Sequence, residues 1–139
     1  MRVLVVDDSV TIRRVVVQTL SRAGYDTVGY TISYVMHHNR GFEQGFREWR
    51  TPWPVDDWNS ARPVAAELTT GVVLEYLQGR PADADEPFLL FAHYRCTHDP
   101  YVKYDEWDYG DEPVDVYDSA LNYCDEQIGR VLDELEARD

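Results

Sequence analysis

Apolar positions recur at two different spacings along this chain, separated by stretches with neither. Residues 2–6, RVLVV, form a continuous β-branched and leucine run, the pattern of a strand covered on both faces. Ile12, Val15, Val16, Leu20 and Ala23 then recur at helical spacing, with Ser9 or Thr11 able to cap the start and Gly24 able to stop it. TVGYTISY, residues 27–34, reads as a second strand. Strand, helix and strand in this order predict a βαβ unit with a right-handed crossover and a parallel sheet.

Between residues 39 and 59 both periods are lost, in a stretch with three Trp, two Phe, two Gly and two Pro. This predicts a long, ordered loop anchored by its aromatic side chains. Residues 60–77 read as a helix: Ser60 caps it, Pro63 sits in the first turn, and Val64, Leu68, Val72 and Tyr76 share a face, with Gly79 and Pro81 ending it. PFLLFAHY, residues 87–94, is apolar on both faces and is expected in the middle of the sheet. RCTHDPYVKYDEWDYGDEP follows as a polar loop at the carboxyl end of that strand, the side on which open α/β sheets bind ligands. Leu121, Cys124, Ile128, Val131, Leu132 and Leu135 then mark an amphipathic helix over about residues 114–137, acidic on its outer face. The elements predict one α/β domain over residues 1–139, a mostly parallel sheet with helices on both faces.

Composition narrows the partners. A net charge of −13, with 13 basic against 26 acidic residues, argues against nucleic acid or an anionic membrane surface. With 44% hydrophobic and 13% aromatic residues the chain is expected to fold. The apolar run at residues 3–6 is too short for a signal-peptide core or a membrane span, which predicts a cytoplasmic protein. Cys96 and Cys124 are 28 positions apart, without ligand spacing, and read as two buried thiols in preference to a disulfide or a zinc site.

Asp7 and Asp8 close the first predicted strand, where adjacent carboxylates can hold a hard divalent cation such as Mg²⁺ or Ca²⁺, weakly because most coordination positions stay with water. Solvated or helix-capping acids are the competing reading of that pair. The opening MRVLVVDDSVTIRRVVVQTLSRAGYDTV, residues 1 to about 28, resembles the start of the receiver domain of two-component response regulators. That resemblance implies magnesium at Asp7 and Asp8 and a phospho-accepting aspartate further on. At the acceptor's place, however, the chain reads REWRTPWP, and Asp56 and Asp57 follow prolines that exclude a central strand. Lys103 stands near the position of the receiver's lysine but in an aromatic loop, PYVKYDE.

A second resemblance covers about residues 23–139. AGYDTVGYTISYVMHHNRGFEQGFREW, PFLLFAHYRCTHDPYV and VYDSALNYCDEQIGRVLDEL are similar, in that order, to the interior of sulfatases of the alkaline-phosphatase superfamily. The resemblance implies a sulfatase-type fold, a sulfate or phosphate ester as ligand, and a His in an H-x-P-Y motif that faces the sulfuryl group, which falls on His98. A surface residue is the competing reading of His98, while His93 is expected in a structural hydrogen bond, and His37 and His38 carry less signal still. The family's formylglycine nucleophile arises in a C-x-P-x-R or S-x-P-x-R element, and this sequence has neither. CTHDP at Cys96 places His98 and Pro100 where Pro and Arg are required, so no formylglycine is expected.

The sequence therefore predicts a chimeric domain, receiver-like over 1–28 and an incomplete sulfatase-type interior over 23–139. Three functions compete: a sulfatase-family fragment without turnover of its own, with His98 as its catalytic candidate; a phosphorelay module; and a non-catalytic remnant that self-associates through open sheet edges.

Overall fold

The computed structural model describes residues 10–36, 40–52, 62–81 and 84–138. The predicted first strand, Asp7, Asp8, Ser9, His37, His38, Asp56, Asp57 and Ser60 lie outside the described residues. The elements are α1 (Val10–Arg22), β1 (Asp26–Thr31), β2 (Glu48–Arg50), α2 (Ala65–Gly79), β3 (Phe88–His93) and α3 (Pro113–Glu136), with short 3₁₀ turns at Tyr34–Met36, Arg62–Val64 and Asp105–Trp107. The three strands form one parallel sheet in the order β2-β1-β3. The fold is α/β, as the alternation of periods predicts.

α1 ends where Gly24 places it. Gly24 adopts a φ of +86°, Gly24 N donates to Ser21 O at 3.1 Å, and Tyr25 N donates to Leu20 O at 3.0 Å, the paired bonds of a Schellman stop. α3 begins on Pro113, after Glu112 and Asp115 exchange side-chain-to-backbone bonds in a capping box.

One face of the sheet packs on α2 and α3. Val28 and Tyr30 of β1 pack with Val73 and Leu77 of α2 and Val131 of α3, and Phe88, Leu90 and Ala92 of β3 extend the same cluster. The other face is aromatic. Trp49 stacks on Phe91 at 5.7 Å, Phe46 lies 5.0 Å from Trp49, and Phe91 stacks on His93 at 6.4 Å. Gly29 makes room for this row, since a Cβ there would stand 2.3 Å from Trp49 Cε3.

Four expectations need correction. The stretch over residues 39–59 is not all loop: Glu48–Arg50 pairs in parallel with Val28, Gly29 and Tyr30. Three residues are too few for any period to register. β1 lies between β2 and β3 in the described sheet, and the first predicted strand, on which a middle position for β3 depends, is outside the described residues. In α2 Leu68, Val72 and Tyr76 pack half-buried against the core as expected, but Val64 is exposed and the fully buried line runs through Ala66, Thr69, Thr70, Val73 and Leu77. In α3 it runs through Ala120, Tyr123, Cys124, Gln127 and Val131, leaving Leu121, Ile128 and Leu132 exposed. In α1, similarly, Val17 is buried and Val15 exposed.

At the amino end of the sheet Asp26 gathers three elements. Its carboxylate takes Arg47 from the segment before β2, Tyr76 Oη at 2.9 Å from α2, and Arg80 Nη1 at 3.1 Å just beyond α2. Hydrogen bonding to Arg47, with further help from Tyr76 and Arg80, outweighs burial and holds this carboxyl below its ordinary value of 3.8.

Asp26→Asn is expected to lower stability by about 1–3 kcal/mol near neutral pH. Because the folded carboxyl is the more acidic, its contribution is complete above the unfolded value and is lost as pH falls through the folded one. Denaturation midpoints of the two proteins should therefore converge as pH drops below 3.8, and a gap independent of pH would exclude the ion cluster as its cause. Gly29→Ala should cost about 1–3 kcal/mol or more by displacing the Trp49 ring. In a Trp49→Leu background the same change should cost less, which a double-mutant cycle reads directly.

Candidate functional site

Parallel pairing brings the carboxyl ends of β1 and β3 to the same side of the sheet, where Thr31 is the register partner of His93. Thr31 Oγ1 lies 3.0 Å from His93 Nδ1 and accepts Ser33 N at 3.1 Å. With that N–H accepted, the hydroxyl has one proton to give, to His93 or to Met36 Sδ at 4.0 Å. His93 thus has the structural hydrogen bond expected of it. Ser33 stands next to this pair, only 1% exposed, and its Oγ is buried with no partner among the described residues. A buried hydroxyl left in that state costs about 1–3 kcal/mol. Thr31 and Ser33 escape a sequence reading because Thr and Ser at a strand end are common and carry no spacing signal.

His98 lies five positions beyond the end of β3, in an exposed turn closed by His98 N donating to Arg95 O at 3.1 Å. Its Nδ1 is 2.7 Å from Asp99 O. A carbonyl only accepts, so Nδ1 carries the proton of the neutral ring and Nε2 is left as its acceptor nitrogen. The Asp99–Pro100 peptide that follows is cis. The structure therefore places His98 on the loop side of the sheet, as expected, while Asp7 and Asp8 lie outside the described residues.

Lys103 forms ion pairs with Asp108 and Asp111, each at 2.7 Å, inside the loop. Those bonds raise its affinity for its proton and occupy it as a loop fastener. Cys96 and Cys124 are both free thiols, Cys124 buried and Cys96 half-buried. Among the described residues no group of three or more His, Cys, Asp or Glu is assembled that could hold a metal ion, and no helix is long and apolar enough to cross a membrane.

The fold is a parallel α/β sheet with His93 at the end of β3 and His98 in the exposed loop beyond it. Comparison with protein families goes a step further. The sulfatase family model matches residues 10–139, nearly the whole chain, and the chain belongs to that family. The match begins ahead of residue 23, so α1 is part of it, and nothing in the comparisons points to a receiver-like segment. No curated protein and no solved structure matches the chain.

Thr31→Val removes the hydroxyl that serves both Ser33 N–H and His93. It is expected to cost about 1–3 kcal/mol, because a buried N–H loses its acceptor. It should also shift the ring resonances of His93 while leaving those of His98 in place. Unchanged His93 resonances would mean that the Thr31 bond is not formed in solution.

Proposed function

We propose that this chain supplies the ester-anion-binding part of a sulfatase-type site, with His98 facing the oxygens of a sulfate or phosphate ester. The observation that carries this reading is the bond from Nδ1 of His98 to Asp99 O, which orients the ring and leaves Nε2 for the ligand. With Nδ1 protonated, the neutral ring offers Nε2 as an acceptor, and the imidazolium offers an Nε2–H that can donate a hydrogen bond to a sulfuryl oxygen or a proton to a leaving oxygen. The unsatisfied Ser33 hydroxyl, at the carboxyl end of the sheet, is a further polar group that a bound ligand or its water could satisfy.

The proposed chemistry stops at binding. Hydrolysis in the resembled family passes through a formylglycine nucleophile, and the C-x-P-x-R or S-x-P-x-R element that generates it does not occur in these 139 residues. Loss of a covalent nucleophile removes a pathway and not a tuning contribution. Asp7 and Asp8 are proposed to hold Mg²⁺ or Ca²⁺ weakly, a cation that would offset ester charge when bound. Self-association through sheet edges is proposed as a further property.

Sulfate titration followed by chemical shifts should perturb the 95–99 turn in the parent protein and not in His98→Ala. Turnover of aryl sulfates should stay at background, including after co-expression with a formylglycine-generating enzyme. Calorimetry with Mg²⁺ should give at most a weak signal that Asp7→Asn removes. An identical sulfate response in the two proteins would take His98 out of the site, and turnover abolished by His98→Ala would establish an active enzyme instead.

A further inference from the structure

α3 carries two apolar lines, and among the described residues only one of them is covered. The covered line faces α2 and the sheet: Glu67 N donates to Tyr123 Oη, Thr70 Oγ1 donates to Gln127 O, and Val131 joins the core. The other runs through Val114, Leu121 and Ile128 at steps of seven and ends on Leu132, four further on. At 3.6 residues per turn these steps hold the four side chains within about 40° of one another along about 27 Å of helix. All four are 37–62% exposed. Scattered apolar side chains are ordinary on a protein surface, but four in one line make a continuous stripe, the kind of surface that a partner covers.

The stripe has a charged border. Asp118, Asp125 and Glu136 lie along its side away from α2, exposed and without an ion pair among the described residues. α3 as a whole holds seven acidic residues and one arginine, and Arg130 Nη1 donates to Gln127 Oε1 at 2.8 Å, round the helix from the stripe. No cation of α3 therefore offsets that border.

We propose that this stripe is a docking surface for a basic amphipathic helix of another protein. The apolar side of that helix covers Val114, Leu121, Ile128 and Leu132, and its Lys or Arg side chains pair with Asp118, Asp125 and Glu136. Charge singles out this occupant. A second copy of the chain brings the same acidic row and the same net charge of −13 to the contact, and an anionic lipid surface meets the same repulsion. His98 and its turn take no part in the contact.

The test uses the full chain and a labelled synthetic helix with leucine along one face and lysine beside it, read by fluorescence anisotropy. One control peptide has glutamate at every lysine position. A second has the lysine peptide's composition, scrambled so that no apolar face forms. The lysine peptide should bind saturably, at least about tenfold more tightly than either control. Its binding should move amide chemical shifts along residues 114–136 and leave the 95–99 turn in place. Leu121→Gln combined with Leu132→Gln should weaken it by about tenfold or more. Asp118→Lys combined with Asp125→Lys should weaken the lysine peptide and strengthen the glutamate peptide. All four substituted positions are exposed, so both variants should melt close to the parent. Absence of saturable binding, equal binding of the scrambled peptide, or shifts confined to another surface would each overturn the proposal. So would a concentration-dependent dimer of the chain that the Leu121 and Leu132 substitutions abolish. The peptide comparison and the shift map need only the parent protein, so a variant that fails to fold does not affect them.

Discussion

Gly29, at the middle of the central strand, sets the condition for everything on the aromatic face. The absence of a Cβ there lets the Trp49 ring lie directly on β1, where any side chain would meet it at 2.3 Å. Once seated, Trp49 donates Nε1–H to Met36 O at 3.1 Å, stacks on Phe91 of β3, and gives Phe46 a wall to lean on. Its indole thus ties β2, β3 and the turn after β1 into one layer. A three-residue strand has few ladder bonds, so β2 is held in place largely by this side chain.

The two ends of the sheet differ in kind. At the amino end, charge is concentrated and satisfied, with Asp26 taking donors from Arg47, Tyr76 and Arg80. At the carboxyl end the fixed groups are neutral or titratable, Thr31, Ser33 and His93, and the loop beyond carries His98. A carboxylate held by two guanidinium groups has little freedom to act on a ligand. An imidazole with one nitrogen spoken for and the other available has that freedom. The difference follows from the parallel sheet, since every strand enters at the end that holds Asp26 and leaves toward the end from which the His98 loop departs.

Much of this architecture is legible in the residues. Gly24, Pro63 and Pro113 mark helix ends because their backbone constraints are local, and local constraints survive in any tertiary setting. The apolar runs of β1 and β3 are visible for the same reason. The buried side of α3 is not, because it is chosen by what α2 presents: Thr70 bonds Gln127 O, and Tyr123 Oη reaches Glu67 N. Those polar partners pull the helix round, and Leu121, Ile128 and Leu132 face outward despite their hydropathy. For the site, the H-x-P-Y context singles out His98, whereas Thr31 and Ser33 become notable only when the register sets Thr31 beside His93. Strand register is a long-range property, and no window of sequence contains it.

The Asp26 cluster also bears on how the chain moves between states. Its partners lie 21, 50 and 54 residues away along the sequence, at Arg47, Tyr76 and Arg80. Each bond closes a long loop, and the set is complete only after α2 has docked on the sheet. Interactions assembled that late contribute little to the folding barrier. They add instead to the barrier for leaving the native state, so the cluster acts as a brake on unfolding and sets how long the folded molecule persists.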